Sequence, residues 1–154
     1  MQYEISNGVI SIAAVLKGAE LVSLKKGDIE YLWQADPAVW NRAAPNLFPF
    51  VGKLNGGVYR YEGKTYPMTP HGFARDLPFA LSKHTDTYLQ FTLSDTAETR
   101  KVYPFCVRVT EINFYLKSSN VELFETQILL QFFDFRFRKT GRFRYRFKTH
   151  LHIR

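Results

Sequence analysis

The chain carries a single cysteine, Cys106, among 154 residues. One thiol forms no internal disulfide and cannot build a thiolate-rich zinc site, and it fits a reducing compartment. With no base beside it in sequence, Cys106 reads as a buried structural thiol. No run of eighteen apolar residues occurs, so no membrane-spanning helix and no membrane partner are expected. Residues 1–8 lack a basic segment followed by an apolar one, which argues against a secretory leader and for the cytoplasm. A glycine-rich phosphate loop, a nucleophile elbow and a paired-cysteine motif are all missing, so nucleotide cradling and serine-hydrolase chemistry have no support.

Other residue types run out part-way. No proline follows Pro104, no tryptophan follows Trp40, and only Gly141 of nine glycines lies beyond Pro104. No acidic residue follows Asp134. The formal net charge of +7 is therefore uneven. Residues 1–105 hold 11 Lys and Arg against 10 Asp and Glu, whereas residues 106–154 hold 10 against 4. Any nucleic-acid argument rests on the tail alone. The composition predicts two regions without a flexible linker. Residues 1–105 form the first. Residues 106–154 form a basic, aromatic-rich β tail, either part of the same domain or an aberrant extension.

What is abundant is aromatic: 14 Phe, 9 Tyr and 2 Trp. The first region reads as β structure. Strands are expected around Val9–Ile12, Ala19–Leu24 and Glu30–Trp33. Val58–Tyr61 and Lys64–Tyr66 form a hairpin around Glu62 and Gly63. Phe79–Lys83 and Tyr88–Leu93 form another antiparallel pair, joined through residues 84–87. Pro37, Pro45 and Pro49 exclude a long helix or a central strand from Asp36 to Val51, leaving an ordered aromatic loop. In the tail, Phe133, Phe135 and Phe137 alternate with Asp134, Arg136 and Arg138. A turn at Lys139–Gly141 then leads into Arg142, Arg144 and Arg146 alternating with Phe143, Tyr145 and Phe147. With no long helix in view, the fold class is all-β, an antiparallel sandwich.

The densest chemistry lies between Trp40 and Phe79. His71, between Pro70 and Gly72, sits on a tight turn, and an imidazole there can donate to or protonate a ring oxygen. A turn histidine bonded only to backbone is the plainer alternative. Arg75 offers five donors to sugar hydroxyls or a sugar phosphate, against the commoner fate of an ion pair with Asp76. Lys53 offers a point charge at the end of the proline-rich loop, or is a solvated lysine. Asn41 and Arg42 carry a weaker signal. Trp40, Phe48, Phe50 and Phe73 can present a stacking platform, although each aromatic is more often core. His84 falls in a polar turn and is expected to be solvated. His150 and His152 share a strand face without a third ligand, so no metal site is expected. Glu122 and Glu125 have no motif around them.

Several ordered segments together carry a resemblance. They are residues 17–21, Tyr31–Gln34, Pro45–Pro49, Val51–Leu54, Tyr61–Tyr66, His71–Asp76 and Tyr103–Phe105. Residues 1–105 resemble the N-terminal part of the aldose 1-epimerase (galactose mutarotase) superfamily, nearest to its bacterial hexose mutarotase-like group. The resemblance implies a galactose mutarotase-like supersandwich, here incomplete, with a pyranose on the concave face of a sheet. It implies exchange of α and β anomers of a hexose such as galactose. A carboxylate takes the anomeric proton while an imidazole protonates the ring oxygen, and no cofactor is needed. By the family pattern His71 is the first active-site histidine and the catalytic candidate. Lys53, Arg75 and Phe73 lie on the substrate side. Many relatives carry arginine where Lys53 stands. The second histidine, an aspartate and the catalytic glutamate belong to the half that follows, and neither His150 nor His152 has the expected setting. Residues 106–154 do not resemble the family. A shifted reading frame with an early end is expected, and with it weak or absent turnover and self-association through an exposed sheet edge.

Two other functions compete with the isomerase. One is a non-catalytic module that binds a hexose or hexose phosphate. The other is a basic β-ribbon that holds nucleic acid through Arg136, Arg138, Arg142, Arg144 and Arg146. The ribbon is disfavoured because its aromatic face suits packing on a sheet better than stacking on bases.

Overall fold

The computed structural model describes residues 1–116, 121–132 and 141–148, with everything beyond Cys106 described through its backbone alone. Strands dominate. β1 (Gln2–Ser6), β2 (Ile10–Val15), β3 (Leu21–Lys26) and β4 (Ile29–Glu30) form a four-stranded antiparallel sheet in chain order. β5 (Val58–Tyr61) and β6 (Lys64–Pro67) make a separate hairpin. β7 (Ala80–Thr85), β8 (Tyr88–Leu93), β9 (Cys106–Leu116), β10 (Val121–Phe132) and β11 (Gly141–Lys148) form the second antiparallel sheet, in the order β11-β10-β9-β8-β7. The architecture is the expected antiparallel sandwich.

The core sits between the sheets and follows period-two alternation. In β8, Leu89, Phe91 and Leu93 point inward while Tyr88, Gln90 and Thr92 are only partly covered. In β2, Ile10, Ile12 and Ala14 do the same. These residues join Ile5, Leu24, Phe48, Phe79 and Tyr103 in one cluster. The sheets also meet at their edges, where Ser6 N donates to Asp86 O at 2.8 Å.

Several expectations need adjusting. β1 was not signalled by the sequence, because Gln2, Glu4 and Ser6 alternate with only Tyr3 and Ile5 and no turn precedes them. The strand expected at Glu30–Trp33 stops at Glu30. There the Glu30 carboxylate takes the Ser23 hydroxyl (2.6 Å) and the Leu24 (2.8 Å) and Leu32 (2.9 Å) amides, which turns the chain away from the sheet. Burial opposes ionisation of Glu30, but these bonds and the charge of Lys25 outweigh it and lower its pKa. A short helix, α1 (Ala97–Val102), is also present, opened by a capping box in which Thr96 and Thr99 each accept the other's backbone amide. Cys106 is exposed, not buried, because it begins β9 after the Tyr103–Phe105 corner. His84 lies in β7 rather than in a turn, with Nε2 3.0 Å from Glu4 O and its ring edge-on to Tyr3.

The tail pairs differently from the expected hairpin. Gly141 opens β11 opposite Phe132, and Arg142, Arg144 and Arg146 pair with Gln131, Leu129 and Gln127 of β10. Residues 133–140, which were to supply the partner strand and the turn, lie outside the described residues, as do His150 and His152. β9 pairs with β8 along its length, from Tyr115 opposite Tyr88 to Thr110 opposite Leu93.

Candidate functional site

The loop from Asp36 to Val51 holds no regular strand or helix, as its prolines require, yet it is tied down at every turn. Glu20, 5 % exposed, is the anchor. One carboxylate oxygen accepts Ala43 N at 2.7 Å and Ala44 N at 3.1 Å, and the other faces Arg42 Nη1 at 3.2 Å. Asn46 Nδ2 donates to Gly18 O (2.7 Å) and Ala19 O (3.0 Å). Burying a carboxylate is tolerable only with such a set of donors.

The far end of the loop is fused to the His71 turn. Phe48, which precedes a cis Pro49, forms a parallel bridge with Gly72. Phe48 O accepts from Phe73 N (2.9 Å) and Ala74 N (3.2 Å), and His71 N donates to Gly52 O at 2.9 Å. Thr69 closes the turn, with its hydroxyl on Gly72 O at 2.9 Å and its carbonyl accepting Gly72 N at 3.0 Å. His71 adopts φ 67°, a left-handed conformation that this net of bonds enforces.

The bond from His71 N to Gly52 O sets Lys53 next in chain to the His71 turn, and Arg75 follows four residues after His71 in a short 3-10 turn, Ala74–Asp76. Lys53 is exposed, whereas His71 and Arg75 are half-buried. His71 Nδ1 and Arg75 Nε are both shielded from solvent and have no hydrogen-bond partner among the described residues. Arg75 Nε does lie 3.5 Å from Asp76 Oδ2, an ionic contact without hydrogen-bond geometry.

Arg42 braces the backbone at Arg75. Besides Glu20 it donates to Arg75 O (3.0 Å) and to the Asp76 carboxylate. Burial works against its charge, but its bonds to Glu20 and Asp76 more than compensate and raise its pKa. Sequence reading ranked Arg42 low and overlooked Glu20. The signal for Glu20 was there: it is the only charged residue between Lys17 and Lys25.

The aromatic platform resolves mainly as core. Phe48 is buried and meets Phe73 edge-on at 5.9 Å and Tyr103 at 5.7 Å. Phe50 packs on Tyr59 and Tyr103. Tyr59 stacks on Tyr66 and donates its hydroxyl to Val102 O at 2.8 Å. Its phenol is pushed up to about 12 by burial, with Tyr103 and Tyr66 adding to the effect. Trp40 stands 49 % exposed, with its carbonyl accepting the Trp33 indole at 2.8 Å. Phe73 is half-buried and lines a cavity of about 390 Å³ with Gly57, Pro67, Met68, Thr69 and Val102. That cavity adjoins the His71 turn through Thr69 and Phe73.

The family model for aldose 1-epimerase matches residues 1–126. The chain belongs to the aldose 1-epimerase family. The match runs past Phe105 into β9 and β10, so the expectation that the family likeness ends at Phe105 is corrected: residues 106–126 lie within it. Protein LacX (chromosomal) of Lactococcus lactis subsp. lactis is 34 % identical over 117 residues, which cover 71 % of this chain and 39 % of LacX. A galactose mutarotase related enzyme from Lactobacillus acidophilus superposes with a TM-score of 0.81 at 41 % identity, covering 85 % of this chain and 44 % of that one. A galactose mutarotase-like protein from Lactobacillus casei gives 0.76 at 39 % identity, covering 79 % and 42 %. The chain thus spans about four-tenths of the length of these relatives.

Proposed function

We propose that the rim formed by Lys53, His71 and Arg75 is one wall of a hexopyranose site, and that its chemistry is that of an aldose 1-epimerase. The observation that carries this reading is the pair of shielded nitrogens, His71 Nδ1 and Arg75 Nε, unpartnered among the described residues and four positions apart beside the Phe48–Gly72 junction. Leaving such a group unpaired costs about 1–3 kcal/mol; both nitrogens are closed to water in this conformation, so a sugar oxygen pairs with either one only when its side chain turns outward. Arg75 Nε donates; the imidazole nitrogen donates or accepts according to tautomer. Sugar hydroxyls satisfy both needs.

In the isomerase reading the His71 imidazole delivers a proton to the ring oxygen as the C1–O5 bond breaks. A base removes the anomeric hydroxyl proton at the same time, and the C1–C2 bond of the open aldehyde rotates before closure. Near the rim, the Glu20 and Asp76 carboxylates are both engaged by Arg42, so neither suits the role of base. The family pattern places the glutamate base in the half beyond the matched stretch. A stretch that lacks this base binds hexose and turns it over slowly or not at all.

Polarimetry and NMR exchange on D-glucose and D-galactose, together with equilibrium binding, test this. Saturable binding with little accelerated anomer exchange is expected, with both lost in His71→Ala. Rapid mutarotation that vanishes in His71→Ala would show that a base is present after all. A wild-type chain that binds neither sugar would remove the hexose reading. The second reading, a carbohydrate-binding protein without catalysis, draws support from the same engagement of both nearby carboxylates, and binding with no exchange at all selects it.

A further inference from the structure

Asp76 lies between two guanidiniums. Its Oδ1 takes Arg42 Nη2 in a close ion pair, and its Oδ2 stands 3.5 Å from Arg75 Nε. Asp76 is 50 % exposed, so its side chain has room to turn. Arg42 has much less freedom, because Glu20 and the Arg75 carbonyl hold its Nη1 from below. The carboxylate is thus drawn toward the fixed cation and away from Arg75.

We propose that Arg42 is a positioning residue that sequesters Asp76 and so leaves Arg75 free to turn its guanidinium toward a sugar oxygen. This rests on the hexose reading above and deepens it. A carboxylate offered two guanidiniums forms its strongest bonds with the better-placed one. Without Arg42, Asp76 has a single cation in reach. It closes on Arg75 Nε, completes a charge-assisted hydrogen bond and occupies the donor that the ligand needs. The half-site then keeps its residues but loses one of its hands. A role limited to stability makes a different forecast, because in that case the fate of Asp76 has no effect on binding.

The test follows the Arg75 Nε–H resonance by ¹⁵N NMR, with D-galactose as the probe ligand. In Arg42→Ala the resonance should shift and exchange more slowly with water, and galactose should bind about tenfold more weakly, as expected when one charge-assisted bond is forfeited. Adding Asp76→Asn to Arg42→Ala should return the resonance toward its wild-type position and recover most of the affinity, while the melting temperature stays at that of the single variant. If Arg42→Ala fails to fold, Arg42→Lys serves instead: an ammonium held by buried Glu20 again leaves Asp76 to Arg75. An Arg75 resonance indifferent to Arg42 overturns the inference, as does a double variant that binds no better than Arg42→Ala. If the resonance behaves as expected but no protein, wild type included, binds galactose, the hexose reading falls and the sharing of Asp76 stands.

Discussion

Gly72 lies so close to Phe48 that a β-carbon added to it would stand 2.0 Å from the Phe48 carbonyl oxygen. It also adopts φ 71°. This contact joins the proline-rich loop to the His71 turn, and no other residue type allows it. Gly72→Ala should cost about 2–4 kcal/mol, the combined expectation for overpacking and left-handed strain. A denaturant midpoint measures it. Near-wild-type stability would mean that the two segments are not fused as described.

Glu20→Gln should loosen the loop from its other end. The amide keeps one acceptor for Ala43 and Ala44 but loses the charge that holds Arg42. Removing one partner of a largely buried pair leaves Arg42 under-compensated, so a loss of about 2–4 kcal/mol is expected. Amide hydrogen exchange should rise at Ala43 and Ala44. An unchanged exchange pattern would show that the carboxylate does not anchor the loop.

The core permits a sharper estimate. Phe91 is fully buried in β8. Phe91→Ala should cost about 3–5 kcal/mol through lost transfer energy and the cavity left behind. Urea unfolding reads it, and a cost below about 1 kcal/mol would place Phe91 outside the structural centre.

Acid should weaken the β3–β4 corner. The Glu30 pKa is lower in the folded chain than its ordinary value. The stability it contributes is therefore whole above the unfolded carboxyl pKa of about 4.3 and is lost as the pH falls from there through the folded value. Glu30→Gln should flatten the pH dependence of unfolding in that window. A wild-type slope retained in the variant would assign the acid sensitivity to other carboxylates.

Much of the fold was legible because alternation and turn chemistry act locally. Tyr88–Leu93 and the hairpin around Glu62 and Gly63 appear where the pattern put them, the latter with both turn residues at positive φ. The prolines of residues 37–49 marked the irregular loop for the same reason. What stayed hidden depends on distant partners. Glu30 ends a strand through bonds to Ser23 and Leu24, and Trp33 leaves the sheet for the Trp40 carbonyl. At the candidate site, His71, Arg75 and Lys53 were picked out by residue type and family pattern. The bracing of the Arg75 backbone by Arg42, itself tied to Glu20 and Asp76, joins residues 22 to 34 positions apart, which no local pattern encodes.

The most direct test of the central claim is a titration of the ¹⁵N-labelled chain with D-galactose and D-glucose, observing the His71 imidazole and the Arg75 Nε–H. The account predicts saturable shifts at both groups and at the Lys53 amide, abolished in a folded His71→Ala variant. Shifts that are absent, or that fall elsewhere on the surface while His71 and Arg75 stay still, would contradict it.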